Sequence, residues 1–384
     1  MENSKPKFDK KIQMVDLVSQ YERIQDEVDE AVLKVIRTSM FIGGPEVKSF
    51  QAEMEEYLGA KHVIPCANGT DALQIAMMAL GLEPGDEVIT PTFTYIATAE
   101  VIGLLRLTPV LVDVDPDTFC IDIEQMEQAI TRNTKAIVPV HLYGQCANME
   151  AIMAIAKKHG ISVIEDTAQA IGSDYTFSDG SVAKAGTIGT FGTTSFFPSK
   201  NLGCYGDGGA IFTNDDDLAV SARMIAAHGQ SAQYIHDVIG CNSRLDAIQA
   251  AVLRIKLRHL DDYATRRLAV ADKYDAAFES SDKIKIPLRN SNSTHVFHQY
   301  TLVLNGIDRD AMRLYLGEYG IPAMIYYPIP LHGQKAFENA HFNKDDFDVT
   351  DHLCANVFSL PIHTEMDSEI QDYIIKYVLE FVNK

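Results

Sequence analysis

Val63-Ile64-Pro65-Cys66-Ala67-Asn68-Gly69-Thr70-Asp71-Ala72-Leu73-Gln74-Ile75-Ala76-Met77-Met78-Ala79-Leu80-Gly81 changes its periodicity halfway. Val63-Ile64-Pro65 is a short apolar run, the pattern of a buried strand. Beyond the Asn68-Gly69-Thr70 turn, Ala72, Ile75, Ala76, Ala79 and Leu80 fall at i, i+3, i+4, i+7 and i+8, one apolar face of a helix. Gly81 stops that helix, and Pro84-Gly85-Asp86 turns the chain into a second run, Glu87-Val88-Ile89-Thr90. Strand, helix and strand in about 30 residues make a βαβ unit. Similar runs follow at Pro109–Asp113, Ala136–Val140 and Ile161–Glu165, the last after a helical stretch Asn148–His159 closed by Gly160. The alternation predicts an α/β protein with a mostly parallel sheet flanked by helices, whose ligand sits at the carboxyl ends of the strands.

After Asp215 the pattern becomes helical: Asp217–His228, then Arg244–Tyr263 continuing through Arg266–Phe278 as one bent helix or two. From Lys283 a strand at His298–Leu304 and helices at Asp308–Glu318 and Asp367–Val382 predict a compact α+β unit. The expected division is a large domain at 1–262 and a small one at 263–384. A chain of 384 residues suits that, since one domain usually takes roughly 150. With 33 Lys and Arg against 53 Asp and Glu the net charge is −20, which argues against binding nucleic acid or an anionic membrane. No apolar run approaches the roughly 20 residues of a membrane helix. Met1–Lys11 is polar and lysine-rich without an apolar stretch, so the expected location is the cytoplasm. The six cysteines, Cys66, Cys120, Cys146, Cys204, Cys241 and Cys354, form no C-x-x-C pair, so no metal site and no thiol chemistry is expected.

Four segments carry polar residues suited to chemistry. In Thr194-Ser195-Phe196-Phe197-Pro198-Ser199-Lys200-Asn201-Leu202-Gly203-Cys204-Tyr205-Gly206-Asp207-Gly208-Gly209, a lysine sits in a loop between apolar segments, either a solvated cation or a Schiff-base nucleophile. Asn68-Gly69-Thr70 opens a helix, as a plain N-cap or as a place where free N–H groups meet a phosphate. Thr92-Phe93-Thr94-Tyr95 follows a strand. Glu165-Asp166-Thr167-Ala168-Gln169 ends a buried strand with a carboxylate that needs a partner, while Glu165 is read as structural.

These segments, in this order, resemble the nucleotide-sugar aminotransferases, pyridoxal-phosphate enzymes of fold type I. The resemblance runs from Met40-Phe41-Ile42-Gly43-Gly44-Pro45 to Ser359-Leu360-Pro361. It implies that Lys200 bonds the cofactor and moves the substrate proton, that Gly69, Thr70 and Ser195 hold its phosphate, and that Tyr95 packs against its ring. Asp166 would pair with the pyridine nitrogen, and Gln169 would contact the ring hydroxyl. Asn242, in Gly240-Cys241-Asn242-Ser243-Arg244-Leu245-Asp246, would reach the cofactor of a second subunit, so a homodimer with shared sites is expected. The amino donor would be L-glutamate, released as 2-oxoglutarate. Relatives that dehydrate sugars carry histidine at the lysine position, and Lys200 separates this chain from them.

The stretches His228-Gly229-Gln230 and Tyr326-Tyr327-Pro328-Ile329-Pro330-Leu331 most resemble the branch that aminates C3 of a UDP-linked 2-acetamido-2-deoxy-3-keto-glucuronic acid. There Ser199, Arg244, Tyr326 and Tyr327 would contact substrate, Arg244 being a suitable fork for the uronate carboxylate, or else a ligand of the glutamate donor or a structural residue at a helix start. Two positions depart from the branch: Tyr326 stands for its histidine and Phe41 for its tyrosine. A 3- or 4-keto-6-deoxyhexose on dTDP, UDP or GDP is the alternative. A non-catalytic sensor of cofactor or nucleotide sugar is the alternative of another class. In a chain of charge −20 the site should carry local positive potential, expected from Arg244 and Lys200.

Overall fold

The structure, a computed structural model, describes residues 8–338 and 346–384, so Met1–Lys7 of the polar N-terminal stretch lies outside the described residues. Seven strands form the principal sheet: β1 (His62–Cys66), β2 (Glu87–Pro91), β3 (Thr108–Val112), β4 (Thr134–Ile137), β5 (Ser162–Asp166), β6 (Phe191–Ser195) and β7 (Gly209–Thr213). Their spatial order is β1-β7-β6-β5-β4-β2-β3. Every pairing from β3 across to β6 is parallel, while β7 runs antiparallel to both β6 and β1. The loop from β6 to β7 contains no crossover helix, and strands joined that way pair antiparallel. The five apolar runs of the sequence are β1 to β5. β6 and β7 are not among those runs: Phe191-Gly192-Thr193-Thr194-Ser195 has one large apolar residue, yet its first four residues are buried, while Gly209-Ala210-Ile211-Phe212-Thr213 is buried throughout around the short apolar run Ala210–Phe212. A side chain at Gly192 would lie 2.0 Å from the Gly186 carbonyl oxygen, so only glycine lets the two segments approach.

Helix Gly69–Ala79 begins at the predicted turn. The Asn68 side chain caps it by accepting from the Asp71 N–H at 2.8 Å, and Gly81, at φ +68°, ends it in the left-handed region. The predicted long helix is two, Ala247–Leu257 and Leu260–Phe278, broken at Arg258 and His259. Helices Gln25–Thr38 and Gly44–Leu58, which precede β1, pack against Ala247–Leu257. Glu165, fully buried on β5, accepts from the backbone N–H groups of Gly186, Ile188 and Gly189, and it pairs with His141 Nε2 at 2.9 Å. His141 Nδ1 accepts from the Ala147 N–H, so Nε2 carries the hydrogen and the contact needs no charged imidazole.

The C-terminal unit is a three-stranded antiparallel sheet, β8 (Ile284–Lys285), β9 (Tyr300–Leu304) and β10 (Val357–Leu360), covered by helices Arg309–Glu318 and Ser368–Val382. Asp308 and Asp367 cap those helices. Its core joins Leu302, Leu304, Phe358 and Ile374 to Val270, Tyr274 and Phe278 of helix Leu260–Phe278, and to Ile12 from the start of the chain. Each such side chain contributes about 1.5–3 kcal/mol by leaving water. Leu260 packs instead in the large unit's core with Phe196 and Leu202. We propose that this helix is the joint between units divided at 262/263. No helix among the described residues is long and apolar enough to cross a membrane.

Candidate active site

A cavity of about 730 Å³ opens at the carboxyl ends of β5 and β6, between the helix turn after β1 and the Tyr326-Tyr327 segment. The end of β5 delivers Asp166 to it. Thr98 Oγ1 donates to Asp166 Oδ2 at 2.8 Å and the Ala168 N–H donates to Oδ1 at 3.1 Å. A carboxylate has about four lone-pair sites, so Asp166 keeps acceptor capacity for a further donor. The loop after β6 presents Lys200. That loop is drawn tight by Phe196 N–H to Gly208 O, Cys204 N–H to Phe196 O and Lys200 N–H to Phe197 O. Enclosure by protein lowers the Lys200 pKa to about 8, opposed by the negative charge of Asp166. At neutral pH an appreciable fraction of its amine is therefore unprotonated and nucleophilic.

Across from Lys200, Gly69, Thr70 and Ser195 line one end of the cavity. A side chain at Gly69 would lie 2.7 Å from Ser195 Cβ, and one at Gly209 would lie 2.4 Å from the Asn68 backbone. The first turn of helix Gly69–Ala79 is thus seated on the ends of β6 and β7, close against Ser195. Gln169 Oε1 accepts from the Tyr143 N–H at 2.8 Å, and its Nε2 donates to the Tyr327 hydroxyl at 3.0 Å. Tyr95, 58% exposed, stands at the mouth with its ring centroid 6.2 Å from that of Tyr327. Ser199 and Tyr326 complete the set of expected residues on the wall.

Asn242 and Arg244 are not on that wall. The segment is pinned by Cys241 N–H to Ile225 O, Ser243 N–H to Ala226 O and Ala67 N–H to Ser243 Oγ. Extended backbone alternates its side chains, so Ser243 and Leu245 are buried while Asn242 and Arg244 point outward and are exposed. Arg244, expected with Lys200 to supply positive potential to the site, does not line its own chain's cavity. Among the described residues lining the cavity, Lys200 is the only Lys or Arg, against Asp166 and Asp207.

Residues that the sequence did not single out also line it: Thr98, His298, Gln299, Met14 and Val15. Thr98 had one faint signal, a hydroxyl within the apolar run Ile96–Ala99; the others had none. The cysteines take no part. Five are buried and Cys241 is half-buried, and burial pushes the Cys204 thiol up to about 11 and that of Cys120 to about 12, the reverse of a nucleophile.

Pyridoxal phosphate fits these residues. A helix start too close-packed for a side chain at its first residue, beside a serine hydroxyl, suits a phosphate; a carboxylate with spare acceptor capacity suits a pyridinium; an amine of lowered pKa suits an aldehyde. The comparisons agree. The chain is 46% identical over 372 residues to a pleiotropic regulatory protein of Geobacillus stearothermophilus, covering 96% of this chain and 98% of that protein. It is 47% identical over 357 residues to the UDP-2-acetamido-2-deoxy-3-oxo-D-glucuronate aminotransferase of Pseudomonas aeruginosa, covering 93% and 96%. An aminotransferase structure from Brucella abortus superposes with a TM-score of 0.92 at 41% identity, covering 97% and 100%. Solved structures of this fold include forms with pyridoxal phosphate and pyridoxamine phosphate. The pattern of the DegT/DnrJ/EryC1/StrS aminotransferase family matches residues 22–379. The chain belongs to that family and is a pyridoxal-phosphate-dependent transaminase.

Proposed function

We propose that this enzyme moves the amino group of L-glutamate to C3 of a UDP-linked 2-acetamido-2-deoxy-3-keto-glucuronic acid in the cytoplasm, acting as a homodimer in which each site is completed by the partner. The carrying observation is the charge imbalance of the cavity. A nucleotide-linked uronate and glutamate are both anionic at neutral pH, yet Lys200 is the only Lys or Arg among the described lining residues. Arg244 and Asn242 point away from their own cavity, beside an apolar surface. Met40, Phe41 and Ile42 are 43–57% exposed, and Ile42 bridges to Asp246. Tyr234 and Ile239 of the neighbouring segment are 84% and 87% exposed. Such a patch suits a second copy, which would bring its Arg244 and Asn242 to this cavity.

Bound pyridoxal phosphate supplies the electron sink for the pair left when the Cα–H bond of the amino substrate breaks. In this reading Asp166, steadied by Thr98, holds the ring nitrogen protonated, and Gly69, Thr70 and Ser195 with the partner's Asn242 take the phosphate. The Lys200 amine would take the proton from Cα and hand it to the carbon on the other side of the amino nitrogen, as base and then acid. Ser199, Tyr326 and Tyr327 face the sugar, and the partner's Arg244 forks the uronate carboxylate.

A panel of keto sugars tests this. Enzyme loaded with pyridoxamine phosphate is mixed with each sugar, and return of the lysine-bound pyridoxal absorbance is followed. The 3-keto uronate should respond, and Arg244→Gln should weaken that response about tenfold or more, as loss of a charged hydrogen bond of about 1.5–3 kcal/mol implies. Tyr326, where the uronate branch has histidine, favours a second reading, a 3- or 4-keto-6-deoxyhexose on dTDP, UDP or GDP. A response confined to those neutral sugars rejects the uronate assignment.

A further inference from the structure

Asn201, next in sequence to Lys200, is buried and committed at both ends of its amide. Its Nδ2 donates to the Val296 carbonyl at 2.9 Å, which leaves Oδ1 facing His298 Nδ1 at 3.2 Å. An amide oxygen only accepts, so His298 Nδ1 carries the hydrogen and Nε2 bears a free lone pair. Burial, with the charges of Lys200 and Arg267 adding to it, holds the His298 pKa well below the usual range, so the ring is neutral. His298 lines the cavity beside Lys200, and its Nε2 has no protein partner among the described residues and is not sealed from solvent. Its backbone is clamped: Arg267 Nη1 donates to the carbonyls of Phe297 at 3.1 Å, His298 at 3.3 Å and Ile362 at 3.1 Å. The wall therefore holds a fixed, neutral acceptor near the one amine it contains.

We propose that His298 is a positioning residue for Lys200: Nε2 accepts a hydrogen bond from the Lys200 amine whenever that amine is released from the cofactor, leaving the amine's own lone pair aimed at the substrate. The proposal rests on Lys200 as the cofactor lysine. A neutral imidazole suits the task. A carboxylate there would hold the lysine as ammonium, and a protonated imidazole would repel it.

The test uses cofactor-loaded enzyme carrying His298→Phe, which keeps a flat ring without a lone pair, and His298→Gln, which restores an acceptor. His298→Phe should lower kcat about tenfold or more, the scale of a misaimed catalytic group, with KM for glutamate little changed. Loss of the acceptor disfavours the ammonium, so the limb of the pH–kcat profile reporting Lys200 deprotonation should move to lower pH, and His298→Gln should move it back. An unaltered profile and kcat in His298→Phe would overturn the proposal, as would loss of activity that tracks loss of bound cofactor and is not relieved by glutamine. Should the variants not fold, ¹⁵N resonances of the wild-type histidines decide: a His298 Nε2 that carries the hydrogen overturns the proposal, and a bare Nε2 upholds it. Failure of the wild-type enzyme to form a lysine-bound cofactor absorbance would instead defeat the assignment of Lys200 itself.

Discussion

Lys200 has the chemistry of its surroundings more than of its residue type. Trapping of pyridoxal phosphate by borohydride reduction, followed against pH, should show a midpoint near pH 8, where burial has brought the amine, and not near the 10.4 of a free lysine. Asp166 opposes that shift. Asp166→Asn removes the charge that favours the ammonium, so the midpoint should fall below that of the wild type; a rise would contradict the cause assigned here. Lys200→Ala should abolish both trapping and turnover. Thr98→Val leaves a buried carboxylate oxygen without its donor and should cost about 1–3 kcal/mol, read as weaker cofactor retention or a lower melting temperature. Lys200 and Asp166 could be singled out in the sequence because one sits in a loop and the other at a strand end with a chemical reason to be polar, while Ser195 entered only through the resemblance; all three line the cavity. Thr98 was not, because its partner lies 68 residues away and only the sheet brings them together.

The turn between β1 and helix Gly69–Ala79 was readable as an element, and its consequences are specific. Gly69→Ala would drive a methyl group into Ser195, so the two groups expected to hold phosphate must separate. Cofactor retention should fall tenfold or more on the scale of about 1.4 kcal/mol per decade while the fold persists, measured by equilibrium dialysis. Asn68→Ala removes the cap and should cost about 1 kcal/mol of stability by denaturant unfolding. β1 to β5 showed in the sequence because parallel strands buried on both faces read as apolar runs. β6 did not, because it carries glycine and threonine where neighbouring backbone comes close, and the apolar run of β7 is only Ala210-Ile211-Phe212. The break at His259 was undecidable from periodicity, since both helices keep an apolar face in the same phase.

At the scale of the whole molecule the net charge of −20 and a phosphate-bearing cofactor coexist because the groups around the proposed phosphate position are backbone, hydroxyl and amide. An arginine can be recognised in a string, but the side of a strand it faces depends on which neighbours are buried, so the sequence could not say that Arg244 turns outward, off its own chain's cavity wall. If two copies share their sites, Lys200→Ala and Asn242→Ala enzymes, each inactive, should regain about a quarter of wild-type activity after mixing and subunit exchange. Half of the dimers are then mixed, and each has one intact site of two. No recovery in exchanged dimers would place Asn242 outside the partner's site. The N-terminal segment adds a constraint of another kind. Met14 lines the cavity, its carbonyl accepts from the Ile362 N–H, and Ile12 lies in the core built by the final helix. The wall is therefore closed by residues about 350 positions apart in the sequence. During synthesis the first of these waits for the second, and a nascent chain holding every residue of β1 to β7 still has an open site until the segment around Ile362 has been made.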